Sequence, residues 1–213
     1  MKILAIGAHL DDIELACGGT LARAIEKGHQ VKMVVMTKSG YKNFDGKIIR
    51  TEDEAKSEGI SAAKSLGIND LEILDFPIIN VPYNSATVES LDKIITSFNP
   101  DLIFTHWNHD THQDHRNTSL ATLSAARYKN NIFMYEPFPP SGRSYAPFNP
   151  QMYVDITQVM DKKIEALKKH KSQHKKYGDN WIEAANGRAR LRGFEIYSKY
   201  AETFEVVRYN LDL

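Results

Sequence analysis

The sequence predicts an α/β fold: a mainly parallel sheet with helices on both faces. Short apolar or β-branched runs alternate with longer segments of helical spacing along most of the chain, the pattern of repeated strand and helix units. The first run, residues 3–6, is continuously apolar, as a parallel strand covered on both faces must be. Stop signals at Gly28, Gly67 and Asn99-Pro100 punctuate the units.

Taken in order, residues 2–8 read as the first strand and 13–25 as a helix ending near Gly28. Residues 31–36 are a second strand, followed by a polar loop. Residues 50–66 are charged and contain alanines, which suits an exposed helix despite Gly59. A strand over 71–76 precedes a helix over 86–98, carried by the spacing of Val88, Leu91, Ile94 and Ile95. The strand at 101–105 leads through a loop to a helix at 118–128. Strands at 132–135 and 152–156 and a lysine-rich helix to about Lys171 complete the series. No repeat, low-complexity tract or linker divides the chain, so residues 1–213 are expected to form a single domain.

Composition narrows the function. The 27 basic residues balance 27 acidic ones, which argues against a nucleic-acid or anionic-membrane partner. Cys17 is the only cysteine, so no disulfide can form within the chain and a reducing compartment is expected. No apolar run is long enough to span a membrane. The expectation is a cytoplasmic protein without membrane insertion.

The most informative stretch is residues 5–19, in which the first strand delivers His9, Asp11 and Asp12 at its carboxyl end. Ligands bind there in open α/β sheets. Three ionisable groups at one strand end are costly to bury without a compensating cation or ligand. His and Asp both bind zinc, and two adjacent carboxylates on an irregular turn can face different ways, one on metal and one handling a proton. The plainer alternative is that Asp11 or Asp12 caps the next helix, which leaves His9 unexplained.

A second stretch, residues 105–116, holds four of the eight histidines: His106, His109, His112 and His115. Asn108, Asp110 and Thr111 favour a loop at least as far as His112. Histidines crowded there suggest a metal or proton-transfer site, although His106 and His109 read as ordinary exposed or hydrogen-bonded side chains. Two ligands from His9 and Asp12 and a third from this loop would leave a fourth position for water, as in catalytic zinc sites. Zinc lowers the pKa of such a water to about 7. Asp11 can then take a proton, and a histidine across the site can stabilise the oxyanion and protonate the leaving amine. Asp114, two residues from His112, could orient that imidazole and raise its pKa.

With His9-x-Asp11-Asp12-x-Glu14 early and His112-x-Asp114-His115 in the middle, each after a strand, the sequence resembles the PIG-L/LmbE-like family of zinc-dependent de-N-acetylases. Weaker similarity covers Gly18-Gly19, Asn99-Pro100-Asp101, Val154-Asp155-Ile156, residues 163–167, Ser172-Gln173 and Tyr200-Ala201-Glu202. The resemblance implies a Rossmann-like fold. It implies that His9, Asp12 and His115 bind zinc, that Asp11 is the general base, and that His112 is the electrophilic or general-acid histidine with Asp114 behind it. It also implies a small amino-sugar substrate that loses its N-acetyl group as acetate, and assembly into a homo-oligomer. Two histidines and a carboxylate would also accept Fe2+, cobalt or manganese.

Leu10 and Gln113 replace frequent prolines of that family, so both loops lose a rigid residue. The family often places an arginine three residues before a glutamate, near the substrate. Arg50, upstream of Glu54 and Glu58, does not reproduce that spacing; it is a substrate-binding candidate set against a plain solvated helix residue. Residues 136–150, rich in proline and aromatics, read as a specificity loop, a subunit contact or a plain crossover. The run from Lys162 to Lys176 reads as a solvated helix face. Two further readings of function stand beside deacetylation. One is an amidase acting on a thiol-sugar conjugate with the same metal. The other, a non-enzymatic nucleotide-binding module, needs a glycine-rich phosphate loop where this chain carries two carboxylates.

Overall fold

A computed structural model describes residues 1–210 of the chain. The first half contains β1 (Lys2–Gly7), α1 (Asp12–Glu26), β2 (Gln30–Val35), β3 (Tyr41–Lys42), β4 (Ile48–Arg50), α2 (Glu52–Ser65), β5 (Asp70–Ile73) and α3 (Ser85–Phe98). The second contains β6 (Leu102–Thr105), α4 (Gln113–Ala125), β7 (Ile132–Tyr135), β8 (Met152–Asp155), α5 (Met160–Lys169), α6 (Lys171–Tyr177), α7 (Asp179–Phe194) and β9 (Ala201–Arg208). Seven strands form one sheet in the order β5, β2, β1, β6, β7, β9, β8, and β3 pairs with β4 as a separate hairpin.

The five strands from β5 to β7 are parallel, whereas β9 runs antiparallel to both β7 and β8. Side chains of β1 alternate between two cores, as the two-residue strand period requires. Ile3 and Ala5 pack with Leu21 of α1, Ala62 of α2 and Ala166 of α5. Leu4 and Ile6 pack on the other face with Leu91 and Ile94 of α3 and Ala121 of α4. The mainly parallel α/β sheet with helices on both faces is therefore what the sequence predicted.

Several boundaries differ from the sequence reading. The polar loop after β2 contains the β3–β4 hairpin. Helix α4 begins at Gln113, not Thr118, because His112 acts as its N-cap, its ring accepting the Asp114 N–H at 3.2 Å. The lysine-rich helix is interrupted at His170, and its lysines do not form one solvated face. Lys163 is buried, donating to Glu202 and to the Leu15 carbonyl.

Helix α1 breaks at Cys17, where φ and ψ are −137° and 16°. The break frees the N–H groups of Gly19 and Thr20, and both donate to the Glu202 carboxylate, at 2.9 and 2.6 Å. The buried Lys163 compensates that carboxylate.

Gly59, an oddity for a helix by propensity, has a packing reason. A Cβ there would lie 2.5 Å from Leu10 Cδ2. Helix α2 thus passes close beneath the loop that follows β1. Gly59→Ala is expected to lower stability by about 1–3 kcal/mol, the cost typical of overpacking; a denaturant melt checks it.

Candidate active site

The strand order reverses between β1 and β6, so the loops leaving their carboxyl ends diverge and open a crevice there. That crevice is a cleft of about 740 Å3, lined by His9, Asp11, Asp12, His106, His112 and His115 among others. Both histidine and aspartate clusters singled out in the sequence therefore meet at one place.

The β1 loop is shaped by Asp11, whose φ of 145° lies in a region that L-residues seldom adopt; such strain costs about 1–3 kcal/mol. Asp11 stands at the N-cap of α1, yet its side chain makes no capping bond. Asp12 instead turns its Oδ2 back to the His9 N–H at 2.7 Å. Neither aspartate is spent on capping. Burial and the adjacent Asp12 push the Asp11 carboxyl up to about 6, against the opposing charges of His170, Arg50 and His9.

His9, Asp12 and His115 each present one ligand atom, all within 4.8 Å of one another. Asp12 lies 3.4 Å from His9 Nδ1 and 3.4 Å from His115 Nε2, and those two nitrogens are 3.3 Å apart. The remaining ring nitrogens are tied to carboxylates: His9 Nε2 to Asp114 at 3.0 Å and His115 Nδ1 to Asp110 at 2.9 Å. Carboxylates that anchor the far nitrogen are the usual support of metal-binding histidines. The site also attracts positive charge: burial opposes it, but Asp12 and Asp114 raise His9 to about 10. The donor set and its backing fit a divalent cation.

One expected partnership is corrected. The Asp114 carboxylate does not sit behind the His112 ring; it accepts from His9 Nε2 and from the N–H groups of Ile79 and Val81, at 2.6 and 2.9 Å. Its hydrogen bond to His112 runs through the backbone N–H, because α4 starts there, while the carboxylate lies within 4.8 Å of a ring nitrogen of His112 without bonding to it. The expected rise in the His112 pKa is corrected as well. Burial, then the charges of His115 and His9, lower it to about 4.

His106 is buried and joins the cluster, 3.1 Å from Asp12, but its Nε2 accepts the Ala8 N–H at 2.9 Å. A nitrogen so used has no lone pair left for a metal, which favours His115 over His106. His109 lies outside the cluster, edge-on to Trp107 and Tyr145. Asp110, which the sequence reading did not assign, holds His115 and also accepts the His112 N–H at 2.8 Å.

Arg50 is no solvated helix residue: it ends β4 and is 2% exposed. The two loops that lack proline are pinned in other ways. The Leu10 N–H donates to Ser39 Oγ at 2.8 Å, and the Gln113 amide donates to the Ile79 carbonyl at 3.0 Å. Residues 136–141 line the cleft together with Tyr177 and Trp181 of the α6 and α7 region. Lys176, in the run read as solvated, sits on this wall over the rings of Tyr41 and Tyr177. Among the described residues, no helix is long and apolar enough to cross a membrane.

The chain is similar to several known proteins. A family model described as PIG-L, GlcNAc-PI de-N-acetylase, matches residues 4–126. The uncharacterized deacetylase YaiS of Escherichia coli strain K12 is 37% identical over 177 residues, covering 80% of this chain and 90% of that protein. The diacetylchitobiose deacetylase of Thermococcus kodakarensis is 25% identical over 191 residues, covering 81% and 70%. The crystal structure of the conserved protein TT1542 from Thermus thermophilus matches with a TM-score of 0.85 and 25% identity, covering 99% of this chain and 96% of that one. The family match spans both halves of the candidate site, and on it and the 37% identity the chain belongs to the PIG-L family of de-N-acetylases.

Proposed function

We propose that this protein is a zinc-dependent deacetylase that hydrolyses the acetamido group of an N-acetylglucosamine-type sugar or conjugate, giving the free amine and acetate. The observation that carries the reading is the convergence of His9, Asp12 and His115, with the unspent carboxylate of Asp11 beside them in the same cleft. Two relatives support the chemistry through their names, which are those of deacetylases.

In this reading His9, Asp12 and His115 hold the cation. When bound, it supplies Lewis-acid polarisation and an acidified water. Asp11, with its pKa near 6, is ionised at neutral pH and accepts the proton of the attacking water. His112 is neutral, and because its Nδ1 accepts the Asp114 N–H, its own proton resides on Nε2. That N–H is a donor for the oxygen that gains charge as the carbonyl is attacked. Protonated Asp11 is then the available acid for the leaving nitrogen.

The sign of the pH dependence follows. Below about pH 6 Asp11 is protonated and cannot act as base, so kcat/KM should fall about tenfold per pH unit on the acid side. A pH–rate profile flat through pH 5 would contradict the role of Asp11.

The direct test is acetate release from a panel of N-acetylated sugars and conjugates, with protein stripped of metal and then reloaded with zinc or Fe2+. Metal-dependent acetate supports the proposal. Stoichiometric metal without acetate from any sugar would keep the site and exclude this substrate class, and turnover of larger amides alone would favour the amidase reading.

A further inference from the structure

Resting on the deacetylase reading, a group of buried ionic residues beside the base remains to be explained. Glu14, the last residue of the first motif, is 1% exposed, and His170 and Arg50 are 0% and 2% exposed. They form a connected chain. His170 Nε2 lies 3.1 Å from Glu14 Oε1, and its Nδ1 lies 3.2 Å from an Arg50 terminal nitrogen. That same nitrogen pairs with Glu58 at 3.1 Å, and Glu58 in turn accepts from the backbone N–H and hydroxyl of Ser172. The other terminal nitrogen of Arg50 donates to the Leu10 carbonyl at 2.9 Å.

The Leu10 carbonyl belongs to the peptide that leads into Asp11, the residue held at φ 145°. Strain of this kind persists only where the surroundings impose it. Leu10 is fixed on three sides: by Ser39 at its N–H, by Arg50 at its carbonyl and by Gly59 against its side chain. Both terminal nitrogens of Arg50 are engaged by the protein, and only the buried Nε lacks a partner. Although Arg50 lies on the cleft wall, its terminal nitrogens are spent on the protein, which suits it to holding backbone.

We propose that Arg50 is a positioning residue for Asp11: locked by Glu58 and by the Glu14–His170 pair, it grips the Leu10 carbonyl and keeps Asp11 in the strained conformation that leaves its carboxylate free in the cleft. Misplacing a catalytic group by about 1 Å can cost about 100-fold in rate.

The test is a double-mutant cycle of Arg50→Lys and Asp11→Asn, with activity expressed per zinc-loaded folded chain. Arg50→Lys alone should lower kcat about 10- to 100-fold with KM within about twofold. In the Asp11→Asn background it should cost almost nothing more, because the group it positions is already disabled. Equal costs in both backgrounds would overturn the proposal, as would a raised KM at unchanged kcat, the mark of a substrate ligand. Glu58→Gln, which keeps Arg50 but removes its ion pair, should show the same pattern more weakly. Should the unmodified protein release no acetate, the deacetylase reading fails by itself, and a crystal structure of Arg50→Lys still decides the positioning role. Asp11 should leave its positive φ or split into two conformers, and an unchanged Asp11 would refute it.

Discussion

Asp11→Asn is expected to lower kcat by about 100- to 10,000-fold while zinc remains at one per chain. The change is nearly isosteric, and asparagine tolerates positive φ as well as aspartate does. The strained turn should therefore survive. What is lost is the ability to take a proton, since an amide has no basic site near neutral pH. Asp11 is not a member of the His9, Asp12 and His115 ligand group, so metal content should not follow activity. Measuring kcat and zinc in the same preparation separates the two. Loss of zinc in Asp11→Asn, together with full activity in His112→Ala, would reverse the assignment.

His115→Ala should abolish stoichiometric zinc and, with it, activity. Replacing a carboxylate behind a metal-bound histidine typically costs about 10- to 100-fold in metal affinity. Asp110→Asn should fall in that range, and removal of the ligand itself should exceed it. Isothermal titration with zinc, or metal analysis after dialysis, gives the ranking. Normal zinc in His115→Ala would pass the ligand role to His106, which is 3.1 Å from Asp12 but accepts the Ala8 N–H. The structure makes that outcome the less favoured one, because the Ala8 bond would first have to break.

The sequence revealed the candidate ligands because they are chemically conspicuous: a histidine and two acids after an apolar strand, then histidines after another. It revealed little of what holds them. Asp114 was paired with His112 on proximity in the chain, but helix α4 begins at Gln113 and turns the carboxylate towards His9. Arg50 looked exposed because charged residues surround it, and its burial depends on partners as distant as His170. Helix α7 was missed because its buried stripe is Trp181, Ala185, Ala189 and Gly193; three of the four are small and give almost no apolar signal. Strand β9 broke the expected alternation by entering antiparallel between β7 and β8. No local pattern announces such an insertion.

That insertion bears on the order in which the protein is made. Among the described residues, strand β8 hydrogen-bonds only to β9 within the sheet, and the broken helix α1 depends on Glu202 of β9 to satisfy Gly19 and Thr20. On the ribosome, β1 and the loop after it emerge early, while the strand that steadies the helix behind that loop emerges late. The sheet, and the Glu202 support for the helix behind that loop, are complete only once residues 201–208 have left the exit tunnel.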